Sequence, residues 1–216
     1  MLAKDIMTTN VITIPSNTLV LEAGKIMETH DFRRLPVVDK GKLVGMVTKS
    51  MARRAAPTEA TSLSVWEINY LMAKMTVKDI MKKDLVTIPA DSTVECAVAT
   101  AQKCGVGALP VIEDNLVVGI ITTNDFFYKI LNPLLGIDEE GKRVVVYGAD
   151  NPDQVIGIMD IVKAEGVKIK AMHTIAFPGA VSKDLIVHLD VEDASGIVAK
   201  IREHGFHVDE REHRPC

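Results

Sequence analysis

Two short segments of the chain carry side chains that suit a phosphorylated or hydroxylated ligand. Arg33 and Arg34 stand side by side before a predicted strand, and a planar guanidinium group matches phosphate oxygens well. Thr122 and Asp125 follow another predicted strand and open a helix. A hydroxyl and the free amides of a helix start suit phosphate oxygens, while a carboxylate accepts hydrogen bonds from hydroxyl groups. The chemistry that these residue types indicate is binding.

Catalytic motifs are missing from the same sequence. It has no His-Glu-x-x-His, no Cys-x-x-Cys, no P-loop and no Gly-x-Ser-x-Gly. His204, His207 and His213 lie near acidic residues, but their loose spacing is more typical of a solvated polar tail than of a metal site. Gly105-Val106-Gly107 is better explained as a helix-to-strand turn than as a phosphate loop. We therefore expect no enzyme activity, no metal and no required cofactor.

An internal repeat supplies the elements that must position the binding residues. Shifting the chain by 74 residues places Lys4-Asp5-Ile6-Met7 on Lys78-Asp79-Ile80-Met81 and Thr13-Ile14-Pro15 on Thr87-Ile88-Pro89. Two copies of one fold are expected to be related by a pseudo-twofold axis. A cleft on that axis is a natural ligand site, so the positions at which the copies differ are the informative ones.

Each copy is predicted to fold as strand, helix, strand, strand, helix. In the first copy the strands fall at 11–14, 35–38 and 43–47, the last two joined as a hairpin, and the helix follows Ser16-Asn17-Thr18. We expect the first copy to span residues 1–55 and the second 75–135. Residues 56–74 form a linker whose helix carries Trp66 and Tyr70, with core packing as the expected role of the tryptophan.

The pattern changes in residues 142–212. Strands are predicted at 144–146, 167–171, 185–191 and 206–208, with helices beginning near Pro152 and Asp193. The order β-α-β-β-α-β is the ferredoxin-like split arrangement. The chain is thus predicted to be a mixed α/β (α+β) protein, with two pseudo-twofold-related repeats and a C-terminal ferredoxin-like domain.

Composition limits the possible partners. A net charge of −4 with interspersed signs provides no basic stripe for nucleic acid. No apolar run is long enough to span a bilayer, and the N-terminus shows no signal peptide. Three cysteines, an odd number, do not make a disulfide framework. We expect a cytoplasmic protein without nucleic-acid or membrane partners.

The repeated segments resemble a tandem pair of CBS domains. The resemblance rests on Asp5-Ile6-Met7, Thr13-Ile14-Pro15, the segment 34–39 and Gly45-Met46-Val47-Thr48, each repeated downstream. By topology the C-terminal segment resembles an ACT domain, and the combination is similar to acetoin-utilisation B-type proteins. The resemblance implies a regulatory sensor that binds an adenosine nucleotide of the AMP, ADP or ATP class between the repeats. It also suggests control of acetoin or related metabolism through an unknown regulated protein.

The family's signature at the last strand is complete only in the second copy. There it runs from Gly119 to Asp125, and the resemblance implies that Thr122 meets phosphate and that Asp125 accepts from the ribose hydroxyls. In the first copy Met51 stands where the aspartate belongs, and a thioether cannot replace a carboxylate as acceptor. The cleft that faces Thr48 and Met51 is either empty or accepts a ligand whose ribose is recognised differently.

The basic residues show the opposite asymmetry. Arg33 and Arg34 have Gly107 and Ala108 as their counterparts, so we predict one competent site shared between the copies. The alternative is that the arginines are solvated and that Asp125 only caps a helix. The predicted nucleotide-binding residues are Thr122, Asp125, Arg33, Arg34, Lys49 and Thr48, with Val86, Ile88, Pro110 and Ile121 as an apolar floor for adenine.

The C-terminal domain is expected to serve dimerisation. ACT domains that bind amino acids usually place a glycine after the proline that opens the first helix, and here Asp153 occupies that position. Its side chain and charge count against amino-acid binding, so we expect a homodimer formed by side-by-side sheets. Three functions stay open: a nucleotide-binding sensor, a non-catalytic interaction subunit with a vestigial nucleotide site, and a weak nucleotide-processing enzyme.

Overall fold

The chain folds into two compact units, Met1–Phe126 and Phe127–Cys216. The structure is a computed structural model that describes residues 1–55, 66, 70, 73–137 and 139–212. Apart from Trp66 and Tyr70, the predicted linker helix lies outside these described residues, and so does His213. Each unit is described by itself below.

The first unit contains the two repeats, with the predicted hairpin in each. The elements of the first repeat are α1 (Ala3–Ile6), α2 (Val20–Thr29), β1 (Arg34–Asp39), β2 (Lys42–Thr48) and α3 (Lys49–Ala55). The elements of the second are α4 (Val77–Ile80), β3 (Ile88–Pro89), α5 (Val94–Cys104), β4 (Ala108–Glu113), β5 (Leu116–Thr122) and α6 (Thr123–Phe126). The predicted strand at 11–14 is reduced to a single parallel bridge between Ile14 and Val37, because the segment before it leads to the other repeat, where Thr8 pairs with Ile120.

The N-terminal segment of each repeat crosses to the other repeat. Leu2 bridges to Thr93 at the start of α5, and Thr76 bridges to Leu19 at the start of α2. Val77 from the second copy is fully buried in the core of the first repeat. The two repeats are therefore exchanged at their N-termini and fold as one body.

Two glycines make room for this exchange. A Cβ atom on Gly119 of β5 would lie 2.3 Å from the sulfur of Met7, and one on Gly45 of β2 would lie 2.4 Å from the sulfur of Met81. Both distances are far below a van der Waals contact. Each methionine thus packs on the bare backbone of the opposite repeat's last strand.

The tryptophan does not have the predicted core role. Trp66 is 85% exposed and Tyr70 is 60% exposed. Tyr70 is held by polar contacts instead, since the Lys74 ammonium donates to its hydroxyl and lies 4.2 Å from the ring centroid. A cation over an aromatic face is stable in contact with water, which suits the exposure of Tyr70.

The second unit has the predicted β-α-β-β-α-β order. After a π-helix (Phe127–Leu131) come α7 (Asn132–Leu135), β6 (Lys142–Val146), α8 (Pro152–Ala164), β7 (Ile169–Ile175), β8 (Asp184–Leu189), α9 (Ser195–Glu203) and β9 (Val208–Glu212). The strands form one antiparallel sheet in the order β7-β8-β6-β9, which is the split βαββαβ arrangement.

Helices α8 and α9 cover one face of that sheet. Ile158 and Ile201 are fully buried against Val144, Val187 and Leu189. Helix α8 begins at a capping box in which Asn151 accepts from the Gln154 N–H at 2.9 Å, with Pro152 in the first turn. Within the described residues, no helix is long and apolar enough to cross a membrane.

Candidate functional site

A cleft of about 560 Å³ in the first unit, called the larger cleft, is built from both repeats. The second repeat contributes the end of β5 and the start of α6. The first contributes the segment before β1 and the residues just after α1. The cleft is lined by Thr8, Asn10, Val11, Ile12, Asp31, Phe32, Arg33, Arg34, Pro36, Gly107, Ile120, Thr122, Thr123, Asn124 and Asp125.

The exchange of N-terminal segments positions one wall of this cleft. The Thr8 N–H donates to the Ile120 carbonyl at 2.9 Å, and the Ile120 N–H donates back to Thr8 at 3.0 Å. This antiparallel bridge fixes Thr8 beside the end of β5. Its hydroxyl consequently lies 3.4 Å from Oδ1 of Asp125.

Asp125 is 8% exposed and contacts its own helix start as well as the cleft. Its Oδ2 accepts from the backbone N–H and the hydroxyl of Thr122, both at 2.7 Å. These two bonds are the capping role foreseen as an alternative. Asp125 also lines the cleft, with Oδ1 toward Thr8. The capping contacts therefore do not remove its carboxylate from the cleft wall.

Arg33 and Arg34 form the basic side of the cleft. Burial lowers the pKa of Arg34, and the adjacent charge of Arg33 lowers it further. No carboxylate lies within ion-pair distance of either guanidinium in the part of the chain that the structure describes. Two like charges held together and partly desolvated are relieved by an anion, so this wall is suited to a phosphate.

The Arg34 guanidinium lies beside Gly107 of the second repeat. A Cβ atom on Gly107 would lie 3.4 Å from both terminal nitrogens of that guanidinium, an ordinary van der Waals contact. Arg34 and Gly107 also line the second cleft, so the two clefts meet at this pair.

The apolar lining of the larger cleft is not the predicted one. Val86 and Pro110 line the second cleft, while Ile88 and Ile121 are buried in the core at 4% and 0% exposure. The counterparts of Val86 and Pro110 in the first repeat are Ile12 and Pro36, and these two residues do line the larger cleft. On β5 it is Ile120 that faces this cleft, because neighbouring residues of a strand point to opposite faces.

The sequence alone did not show which of these residues belong to which cleft. The prediction took the ribose residue and the apolar floor from the same copy, whereas each cleft combines the last strand of one copy with the early residues of the other. The hydrophobic alternation along β5 would have separated Ile120 from Ile121 only if the direction of the cleft had been known. Thr8, Asn10 and Phe32 carried no comparable signal, and the sequence analysis missed them.

The second cleft is smaller, about 180 Å³, and lacks a carboxylate at the signature position. Met51 lines it and also packs partly against the core of the first repeat. The Thr48 hydroxyl accepts from the Met51 N–H at 3.2 Å and so caps α3. Lys49 lies just outside both linings, and its N–H donates to the Arg33 carbonyl at 2.9 Å. Of the predicted polar residues, Arg33, Arg34, Thr122 and Asp125 share the larger cleft.

The histidines of the C-terminal region have other contacts. His204 Nδ1 lies 2.8 Å from the Lys200 carbonyl, and His207 stacks on Tyr147 with ring centroids 4.7 Å apart. Among the described residues, no group of three or more His, Cys, Asp or Glu side chains is arranged to hold a metal ion.

The helix-to-strand turn at Gly105 was predicted correctly, since Gly105 ends α5 in the left-handed conformation with φ of 61°.

Sequence and structure comparisons identify known proteins that share this unit. Residues 3–57 and 77–132 match the profile of the CBS domain. L-aspartate semialdehyde sulfurtransferase from Methanocaldococcus jannaschii is 34% identical over 128 residues, which cover 57% of this chain and 22% of that enzyme. The chain thus spans under a quarter of this curated relative.

Two solved structures are similar over most of their length. A putative acetoin utilization protein (AcuB) from Vibrio cholerae is 28% identical, with a TM-score of 0.53, over 64% of this chain and 96% of that one. The CBS domain pair of protein MJ0100, solved with 5′-methylthioadenosine and S-adenosyl-L-methionine, is 30% identical, with a TM-score of 0.49, over 64% and 98% of the two chains.

Proposed function

This chain belongs to the CBS domain family, and from that membership we propose that it is a regulatory protein which binds an adenosine nucleotide in the larger cleft. One observation carries the proposal: a carboxylate from the second repeat and two guanidinium groups from the first line the same cleft. Its volume of about 560 Å³ falls within the roughly 300–1,000 Å³ usual for small-molecule sites. The groups have the polarity that a nucleoside phosphate requires.

Each end of the nucleotide has a matching wall. The ribose hydroxyls donate to Asp125, and the phosphate accepts from Arg33 and Arg34. The base lies against the apolar residues Ile12 and Pro36. Thr122 contributes mainly by holding Asp125, because both of its donors already point to that carboxylate.

The second cleft is proposed not to take a nucleotide in the same way. Met51 offers no acceptor for a ribose, and the cavity of about 180 Å³ is one third as large. We therefore expect one nucleotide for each chain.

Isothermal titration calorimetry with AMP, ADP and ATP tests the proposal. We expect one site per chain, and we expect Asp125→Ala to weaken binding about tenfold or more, since a hydrogen bond to a charged group contributes roughly 1.5–3 kcal/mol. Adenosine, 5′-methylthioadenosine and S-adenosyl-L-methionine serve as probes without a phosphate.

Asp79→Ala is a matched control. Asp79 accepts from the N–H and the hydroxyl of Thr76, both at 2.8 Å, as Asp125 does from Thr122, but it lines neither cleft. Both variants should lose a helix cap, and only Asp125→Ala should lose nucleotide affinity. Equal affinities for the two variants would leave capping as the sole role of Asp125 and refute the site.

Regulation requires that the ligand favours one arrangement of the protein over another. We propose that nucleotide binding changes how the chain engages a regulated protein, and that the C-terminal unit is an ACT-type module that joins two chains. Control of acetoin or related metabolism is suggested by the name of the Vibrio cholerae protein alone. The competing function, a non-catalytic interaction subunit, predicts that none of these nucleotides binds.

A further inference from the structure

The end of α2 presents an aromatic ring to the larger cleft. Helix α2 ends at His30, after which Asp31 takes the left-handed conformation with φ of 51°. The Phe32 N–H then donates to the Met27 carbonyl at 2.8 Å, and the Asp31 N–H donates to Glu28 at 3.3 Å. This pair of bonds is a Schellman cap, which fixes the direction of the chain at Phe32.

The Phe32 side chain departs from the usual packing of such a cap. The residue at this position normally makes an apolar contact with the last turn of its helix. Phe32 is instead 37% exposed and lines the cleft. One face of its ring stacks on His30, with centroids 5.5 Å apart and an interplanar angle of 18°. Since His30 covers one face, a ligand that stacks on this ring would use the opposite face.

The aromatic ring belongs to one cleft only. The counterpart of Phe32 in the second copy is Val106, which follows a similar cap at Gly105 and lines the second cleft. A branched aliphatic side chain cannot stack on a planar base. The ring is thus a further difference between the clefts, on the same side as Arg33 and Asp125, which line the larger cleft only.

We propose that Phe32, backed by His30, is the stacking platform for the base of the bound nucleotide and gives the cleft a preference for purines. This inference rests on the proposed nucleotide-binding function and adds base selection to it. A purine overlaps a phenyl ring more fully than a pyrimidine does, and stacking of a base on an aromatic side chain is sequence-tolerant but favours the larger ring system. The ligand class is then a purine nucleoside phosphate.

Calorimetric titration with AMP and CMP tests base selection in the full chain and three variants. Phe32→Leu keeps an apolar side chain and removes the aromatic face, and it should weaken AMP binding by about tenfold while changing CMP binding less. Phe32→Tyr keeps the ring and should retain the affinity for AMP. Val106→Ala, the matched change in the second cleft, should alter neither.

The outcomes separate this inference from the function on which it rests. Unchanged AMP affinity in Phe32→Leu, or an equal loss for AMP and CMP, overturns the stacking role while nucleotide binding stands. Failure of the unaltered protein to bind either nucleotide overturns the proposed function, and the platform with it. Thermal denaturation of each variant shows whether the cap at Asp31 is intact.

Discussion

Asp125 and Asp79 share one local structure, and only their surroundings differ. Both carboxylates accept from the N–H and hydroxyl of the threonine three residues earlier. The pKa of Asp79 is lowered by these bonds to Thr76. Asp125 is in addition held beside a cleft by the exchanged segment that carries Thr8. The T-x-x-D pattern therefore predicts a cap, and the position in the fold decides whether the cap can also recognise a ligand.

The preference for a ligand that carries a negative charge should depend most strongly on Arg34. Its guanidinium is partly buried beside Arg33, with a pKa lowered by burial and by that neighbour. Arg34→Ala should weaken AMP binding by about tenfold and leave adenosine binding nearly unchanged, because only AMP carries the anion. Calorimetric titration with AMP and with adenosine, each at two salt concentrations, measures the two affinities.

Lys49→Ala is the appropriate comparison for that variant. Lys49 is part of the predicted site, but it contacts the cleft wall through its backbone N–H, which the substitution keeps. The affinity of the Lys49→Ala variant for AMP should stay near that of the unaltered protein. A loss of affinity for adenosine in Arg34→Ala as large as that for AMP would contradict charge selection and indicate a collapsed cleft.

At the scale of elements, the exchanged N-terminal segments depend on two glycines. Gly119→Ala would place a Cβ atom 2.3 Å from the Met7 sulfur and 2.7 Å from its Cγ. The methionine would have to move away from β5, and overpacking of this kind costs about 1–3 kcal/mol. We expect a clear drop in the melting temperature, measured by calorimetry or circular dichroism.

Gly24 gives the opposite expectation within the same unit. It lies inside α2, and a Cβ atom there meets nothing within 4 Å. Gly24→Ala should raise the stability by up to about 1 kcal/mol, since alanine is the better helix former. Similar effects of the two substitutions would mean that Met7 does not pack on Gly119 as described.

The sequence predicts the helices and strands better than it predicts which segments they pack against. The hairpins, the split βαββαβ order and the cap at Gly105 follow from local patterns, and the structure has all three. Boundaries moved where tertiary pairing decided them: the last strand, expected at 206–208, is Val208–Glu212 because it pairs along β6. The exchange of segments was not predictable, since the two copies share the same pattern of apolar positions and offer a similar surface to either N-terminus.

In the candidate site, too, residue types were easier to predict than positions in the fold. Arg33, Arg34 and Asp125 were predicted because their residue types differ between the copies, and Thr122 from the signature; the four line one cleft. Of the predicted apolar floor, Val86 and Pro110 line the second cleft, because Val86 and Ile12 are equivalent in the repeat and only the path of the chain distinguishes them. Phe32 was missed, since an exposed aromatic residue at a helix end has no sequence signature of its own.

At the scale of the whole molecule, the edge of the C-terminal sheet is the proposed contact between two chains. Among the described strands, β7 is an edge strand that pairs with β8, and Ile169 and Met172 are 43% and 44% exposed. A second copy could add its own β7 and cover both residues. Light scattering should then give twice the chain mass of 23.6 kDa.

A charge on that edge should separate the chains. Met172→Lys places an ammonium at the centre of the proposed contact, a device that natural edge strands use against pairing. We expect a monomer for this variant and an unchanged mass for Leu116→Lys, an exposed position in the first unit. A monomeric unaltered protein would refute the dimer, and a Met172→Lys dimer would place the contact elsewhere.

The exchanged N-terminal segments also bear on how two unequal clefts could arise. A single copy of the repeat would leave the bare backbone at Gly45 or Gly119 uncovered, so a one-copy ancestor would have been complete only as a pair of identical chains. In such a pair every substitution appears in both clefts at once. Joining the copies in one chain ended that constraint, and an arginine, an aromatic ring or a carboxylate could then be gained or lost on one side alone.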